Sequence, residues 1–171
     1  NLLSVTRVSN HGMIKKEDEV LEEIIGSAIL KYHRLPGSLP VDSDTLSDII
    51  LVPMDAMLIE QVMINLFDNV NAHAEGASKI WIHLRKENGM VFISVEDDGC
   101  GITPSLLPQI LDGTYMSKHS RNDDRRNMGI GLSVCRSIIE AHGGRLFAGK
   151  SRHGGAAFEF SLPCKENMYV E

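Results

Sequence analysis

Glu60-Gln61-Val62-Met63-Ile64-Asn65-Leu66-Phe67-Asp68-Asn69-Val70-Asn71-Ala72-His73-Ala74 is the stretch from which the rest of the chain is read. Ile59, Val62, Met63, Leu66 and Val70 recur at helical spacing and make one apolar face. Gln61, Asn65, Asn69 and Ala72 run beside that face at near i, i+4 steps. Asparagine costs a helix interior roughly half a kcal/mol against alanine, so two of them one turn apart on the border of a core face ask for a reason. A carboxamide oxygen is a hard ligand suited to Mg²⁺, and its NH₂ donates to anions. The pair reads either as a polar ridge at the rim of a nucleotide cavity or as a solvated helix side. The helix alone does not choose between them.

Downstream, Lys79 to Arg85 alternates, with Ile80, Ile82 and Leu84 on one face and Trp81, His83 and Arg85 on the other. Asn88-Gly89 marks a tight hairpin, and Val91, Ile93 and Val95 alternate in the return strand. The chain from Asp112 to Met128 is polar, with no apolar period, and reads as a long mobile loop. Gly129-Ile130-Gly131-Leu132 then opens a helix that Gly143-Gly144 ends. Two closing strands, 145–149 and 157–162, flank a turn at Gly154-Gly155. Upstream, a helix is expected over 17–33, a short edge strand at 39–41, and a buried strand over 48–52 stopped by Pro53. The pattern predicts a two-layer α/β sandwich: a mixed, mostly antiparallel sheet with helices on one face.

The totals narrow the function classes. A chain of 171 residues is of single-domain length, and 43% hydrophobic with 23% charged residues is the composition of a globular protein. A net charge of −6 argues against nucleic-acid or acidic-membrane binding by bulk electrostatics. No apolar run is long enough to span a bilayer. Cys100, Cys135 and Cys164 are odd in number and far apart, which points to reduced cytosolic thiols. The opening Asn1-Leu2-Leu3, without a methionine, is expected of a piece of a larger protein.

Two glycine-bearing segments could carry chemistry. Asp97-Asp98-Gly99-Cys100-Gly101 follows a strand directly. Its glycines permit close backbone approach, and a carboxylate at a strand end can accept from an exocyclic amine such as that of adenine. An ordinary acidic turn has the same composition. Gly129-Ile130-Gly131 precedes a helix, where free N–H groups and the helix dipole favour phosphate. A flexible hinge fits equally well.

Taken in order, NLFDN (65–69), DDGCG (97–101), GIGL (129–132) and the closing EAHGG…GGAAFEFSLP form a specific series. In it the chain resembles the catalytic, ATP-binding domain of sensor histidine kinases, in the GHKL (Bergerat) superfamily of ATPases and kinases. The resemblance covers residues 15–163. Residues 1–14 then read as the end of a dimerisation helix and linker, and 164–171 as a C-terminal tail. ILVPMDAMLIEQVMINLFDN and the NLLSVTR start are most similar to the potassium-sensor (Kdp-type) group.

The resemblance implies ATP and Mg²⁺ as cofactors. It implies Asn69 as the Mg²⁺ ligand assisted by Asn65, the two also forming the catalytic pair, with His73 on the cavity side. It puts Asp97 on the adenine amine, Gly99, Gly101 and Ile102 on the pocket floor, and Gly129, Ile130, Gly131 and Leu132 at the phosphates. Residues 112–128 become an ATP lid, with Lys118 or Arg121 near the γ-phosphate. The partners implied are a histidine-bearing dimerisation domain of the same protein, a response regulator, and a second copy of the parent, with no nucleic acid. The fragment itself is expected to be cytoplasmic and to make no membrane contact, while its parent is anchored in the membrane.

Hydrolytic members of the superfamily carry a glutamate four residues before the Mg²⁺ asparagine. Here Asn65 stands there and cannot act as a base, so poor hydrolysis is expected. The family's phosphorylated histidine precedes an acidic residue, whereas the seven histidines here precede Gly12, Arg34, Ala74, Leu84, Ser120, Gly143 and Gly154. The fragment is therefore expected to bind ATP without phosphorylating itself. Where the resemblance implies a lysine and then an aromatic residue or histidine, Ala72 and His73 stand, so the lysine is lost; Asn127 replaces the first glycine of GxGxGL, and the stretch before the lid has lost its phenylalanines. These departures lower the expected ATP affinity. They keep open a degenerate, nucleotide-poor signalling module, beside a serine kinase or anti-sigma-factor domain of the same fold.

Overall fold

A computed structural model describes residues 14–44, 49–112 and 123–165, with the backbone alone for residue 112 and residues 123–130. The expected dimerisation-helix end and the lid cations Lys118 and Arg121 lie outside the described residues. In chain order the elements are strand β1 (Glu17–Val20), helix α1 (Leu21–His33), β2 (Val41–Ser43), β3 (Leu51–Met54), α2 (Ala56–His73), β4 (Ile80–Glu87), β5 (Met90–Asp97), a 3₁₀ turn at Pro104–Leu106, α3 (Leu107–Asp112), α4 (Asp123–Ala141), β6 (Leu146–Lys150) and β7 (Ala156–Pro163).

Five strands form the main sheet in the order β2-β4-β5-β7-β6. Only the β2–β4 pair is parallel, so the sheet is mixed and mostly antiparallel, as the alternation predicts. The β4–β5 hairpin turns at Asn88 and Gly89, with φ of 51° and 75°. A two-residue hairpin loop with both φ positive is the geometry that Asn-Gly favours. Ile80, Ile82, Ile93, Val95, Phe160 and Leu162 are completely buried on the inner face. Helices α2 and α4 pack on it and on each other, and α1 packs against α2. Tyr32 on α1 meets Phe67 on α2 with ring centroids 5.0 Å apart. Each fully buried Leu, Ile or Phe contributes about 1.5–3 kcal/mol from apolar surface removed from water, an upper bound on its net effect.

Three local readings are corrected. Residues 17–20 are not the first turn of a helix: they pair antiparallel with β3, Glu17 opposite Met54 and Val20 opposite Leu51. The helix begins only at the buried Leu21. Pro53 does not stop the strand expected over 48–52 but sits inside β3, which runs Leu51–Met54, opposite Asp18. This ribbon has only two strands, so β3 is an edge strand, where a proline is tolerated. Thirdly, α4 begins at Asp123, not at Gly129, so the lid expected over 112–128 is helical in its last residues. Asp123 and Asp124 suit the positive end of a helix dipole, which favours this earlier start. At the other end of the chain, Cys164 N donates to Gly89 O at 2.9 Å and Lys165 N to Leu51 O at 3.1 Å, tying both residues to the body.

Candidate nucleotide site

Helix α2 is the floor of the site. Asp55 caps it, accepting from Leu58 N at 3.4 Å, and Asp55 N in turn donates to His142 Nε2 at 3.0 Å. That cap fixes the rotation of α2 against α4 and thereby where its asparagines face. Asn69 is buried, at 8% exposure, and its Nδ2 has no hydrogen-bond partner among the described residues. A buried donor left unpaired costs about 1–3 kcal/mol. A side chain held this way is poised for a ligand, and its hard oxygen suits Mg²⁺.

Asn65, one turn earlier, is half-buried and committed elsewhere. Its Oδ1 accepts from Gln61 Nε2 at 2.8 Å, and its Nδ2 donates to Cys135 Sγ on α4 at 3.7 Å. Burial pushes the Cys135 thiol up to about 12, so it stays protonated, its sulfur facing Asn65 while its S–H reaches Val62 O at 3.9 Å.

The end of β5 supplies the carboxylate. Asp97 is 1% exposed, and its Oδ1 accepts from Gly99 N at 2.8 Å and Ala156 N at 3.2 Å. Its Oδ2 has no hydrogen-bond partner among the described residues. Burial raises its pKa, the two backbone donors pull it back, and the Asp98 and Glu96 charges push it up again. Asp98 points away and instead binds Ser78 N at 2.7 Å, Ser78 Oγ, and Lys79 N at 3.3 Å, tying the start of β4 to the end of β5.

Asn69, His73, Asp97, Gly101 and Ile102 line one narrow slot of about 20 Å³, walled further by Val70, Ala74, Ala156 and Phe158. His73, Ala74, Gly101 and Ile102 also border an adjoining groove of about 640 Å³ that runs past Thr103 and Leu106 to Ile110. Gly101 makes its turn with a φ of +76°. A Cβ on Gly99 would stand 3.0 Å from the Ala74 Cβ. A Cβ on Gly155 would stand 2.0 Å from Asp97 Oδ1 and 2.6 Å from Gly99 N.

The structure thus brings together Asn69, His73, Asp97, Gly101 and Ile102, with Gly99 behind them. It separates Asn65 from the slot. Gly129, Ile130 and Gly131 lie inside α4, where from the second turn onward N–H groups are taken by the helix, so they are not the free donors of a helix start. Leu132 is fully buried in the core. The sequence places Gly155 in a turn and gives Ala156, just before the expected strand, no role. The doubled glycine directly before the last strand was the available signal, but nothing local links it to Asp97.

Comparison with known proteins gives the family and the fold. Residues 54–166 match the family of histidine kinase-, DNA gyrase B- and HSP90-like ATPases. The sensor protein KdpD of Clostridium acetobutylicum is 38% identical over 170 residues, covering 95% of this chain. The chain spans only 18% of that relative's length. Among solved structures, the catalytic domain of histidine kinase ThkA superposes with a TM-score of 0.71 at 26% identity, over 86% of this chain and 95% of that one. ThkA in complex with the response regulator protein TrrA gives a TM-score of 0.71 at 24% identity, over 96% of this chain and 46% of that one.

Proposed function

The chain belongs to the histidine kinase-, DNA gyrase B- and HSP90-like ATPases as the catalytic, ATP-binding domain of a two-component sensor histidine kinase, and from that we propose that it passes the γ-phosphoryl group of ATP to a histidine on a separate dimerisation domain. The reading rests on one observation: an unpaired buried carboxamide, Asn69, and a buried carboxylate held through Oδ1 alone among the described residues, Asp97, line the same slot. Asp97 Oδ2 would accept from the adenine amine. The tight seat against Gly155 and the Gly99 and Ala156 donors hold that carboxylate in place beforehand. The slot is about the size of a water molecule, so a purine would have to widen it towards the adjoining groove.

Asn69 would hold Mg²⁺, which when bound neutralises phosphate charge. Asn65 assists by keeping α2 in register with α4 through Cys135. No carboxylate stands at position 65 to activate water, which fits transfer to another acceptor over hydrolysis. Gly129 to Leu132 would meet the phosphates only if the first turns of α4 unwind. Two glycines there, each costing a helix about 1 kcal/mol, make that opening easier. A response regulator would take the phosphate from the histidine, and the parent would be a membrane-anchored homodimer with this domain in the cytoplasm.

Titration with a fluorescent ATP analogue and Mg²⁺ tests the proposal, together with phosphotransfer to an added histidine-bearing dimerisation domain. The expected result is saturable, Mg²⁺-dependent binding that Asn69→Ala and Asp97→Asn each weaken at least tenfold, and an acid-labile phosphoryl product. Absence of saturable binding at millimolar nucleotide would leave the nucleotide-poor module, and an acid-stable product would leave the serine kinase.

A further inference from the structure

Adjacent residues of a strand point to opposite faces, so where Asp97 faces the slot, Glu96 faces the outer side of the sheet. Trp81 and His83 project to that same side from β4, Trp81 directly opposite Glu96 in the register. The turn between β6 and β7 folds over them. Ser151 Oγ and Arg152 N donate to Glu96 Oε1 at 3.2 and 3.1 Å, and Ser94 Oγ donates to Oε2 at 2.8 Å. The turn lays the His153 ring on the Trp81 indole, centroids 3.8 Å apart and planes within 5°. His83, Glu96 and His153 thereby place one ligand atom each within 4.8 Å of one another. Glu96 is buried and the two imidazoles are half-buried.

The protons of this cluster are constrained. His83 Nδ1 lies 2.6 Å from Asp44 Oδ2. An ionised carboxylate only accepts, so Nδ1 carries a proton, and in the neutral ring Nε2 presents its lone pair. That lone pair faces His153 Nε2 at 2.9 Å. A carboxylate behind an imidazole whose far nitrogen faces further donors is the arrangement that orients metal-bound histidines and raises their basicity.

We propose that His83, His153 and Glu96 form a site for a divalent transition ion, Zn²⁺ foremost, with Asp44 as the carboxylate behind His83. Two imidazole nitrogens and one carboxylate oxygen suit Zn²⁺ and its neighbours and not Mg²⁺ or Ca²⁺. At metal–ligand distances of about 2.1 Å the three atoms stand about 3.4 Å apart in a tetrahedral set. The two nitrogens are already near that spacing. Glu96 gains a place for the ion when the exposed Arg152 guanidinium, 3.4 Å from Oε2, swings into solvent. Three protein ligands leave the fourth position to water. Binding moves the His153 proton from Nε2 to Nδ1 or to solvent and involves no redox step.

The test uses the chain stripped with a chelator and titrated with Zn²⁺ by calorimetry, and with Co²⁺ by visible absorption. Trp81 is the one tryptophan of the chain and stacks on a ligand, so its fluorescence is expected to fall as Co²⁺ fills the site. One Zn²⁺ per chain is expected at micromolar metal, displacing Co²⁺. His153→Gln is expected to abolish the Trp81 quench, and Asp44→Asn to lower Zn²⁺ affinity about 10–100-fold. His33→Gln, on the far helix, is expected to leave both unchanged. Asp44 is exposed, so its variant reports even if a histidine variant unfolds. No stoichiometric Zn²⁺ binding, or wild-type affinity in Asp44→Asn or His153→Gln, would reduce the cluster to a histidine–histidine hydrogen bond and overturn the proposal. None of these readouts depends on ATP.

Discussion

Asp97 shows how much of a site is made by residues that carry no chemistry. The adenine-facing role proposed for it needs one oxygen idle and the other immobile. Immobility comes from Gly99 N, Ala156 N and the bare Cα of Gly155. Gly155→Ala would force a methyl to within 2.0 Å of Asp97 Oδ1, against a backbone already hydrogen-bonded on both sides. The expected outcome is a loss of about 1–3 kcal/mol of stability, as for other overpacked sites. Nucleotide binding should fall by a larger factor than stability predicts, because the carboxylate itself moves. Denaturant melts beside ATP-analogue titration of the same variant would check this; unchanged binding in a folded variant would show that the seat of Asp97 is not needed. Asp97 could be read in the sequence from its place at the end of an alternating strand. Gly155 could not, since its partner is far away in the chain.

Among the elements, α2 and the β4–β5 hairpin form as their sequences say. An apolar stripe at helical spacing, an Asp cap and an Asn-Gly turn are each satisfied by near neighbours. Helix α4 is the exception, because its start depends on a competition. Gly129 and Gly131 weaken helix, yet the chain is helical from Asp123 onward. A Cβ on Gly131 meets nothing within 4 Å, so Gly131→Ala is sterically free. It is expected to stabilise α4 by about 1 kcal/mol. If phosphate binding requires these turns to unwind, the same change weakens ATP binding about fivefold, the same free energy expressed as affinity. A higher melting temperature with lower ATP affinity would support unwinding. A higher melting temperature with unchanged affinity would show that the helix binds as it stands.

For the molecule as a whole, His142 links folding to pH. It is 1% exposed, its Nδ1–H donates to Ile138 O at 2.7 Å, and its Nε2 accepts from Asp55 N at 3.0 Å, joining the end of α4 to the start of α2. Burial lowers its pKa from 6.5, outweighing the Ile138 bond. The folded state therefore holds the neutral ring, and the unfolded state binds the extra proton first. Its contribution to stability is complete above about pH 6.5 and is lost as the pH falls from there towards the folded value. Thermal melts from about pH 7.5 to about pH 5.5 should show a falling midpoint that flattens in His142→Asn. Asp97, whose folded pKa is raised, acts in the opposite sense nearer the carboxylate range, so the difference between the two proteins isolates the histidine.

What the amino-acid order determined unaided was whatever a few neighbouring residues can specify. That covers the period of α2, the alternation of β4 and β5, the hairpin between them, and the polar and glycine-bearing segments by which the family is known. Tertiary structure alone decided that residues 17–20 would be a strand, that Asn65 would turn to Cys135 while Asn69 lined one slot with Asp97, and that Gly155 would press on that carboxylate. The division has one physical cause. Periodicity and turn chemistry are satisfied within a turn or two of backbone, whereas strand partners, buried donors and close backbone approaches are satisfied by groups dozens of residues away, which meet only when the whole core closes.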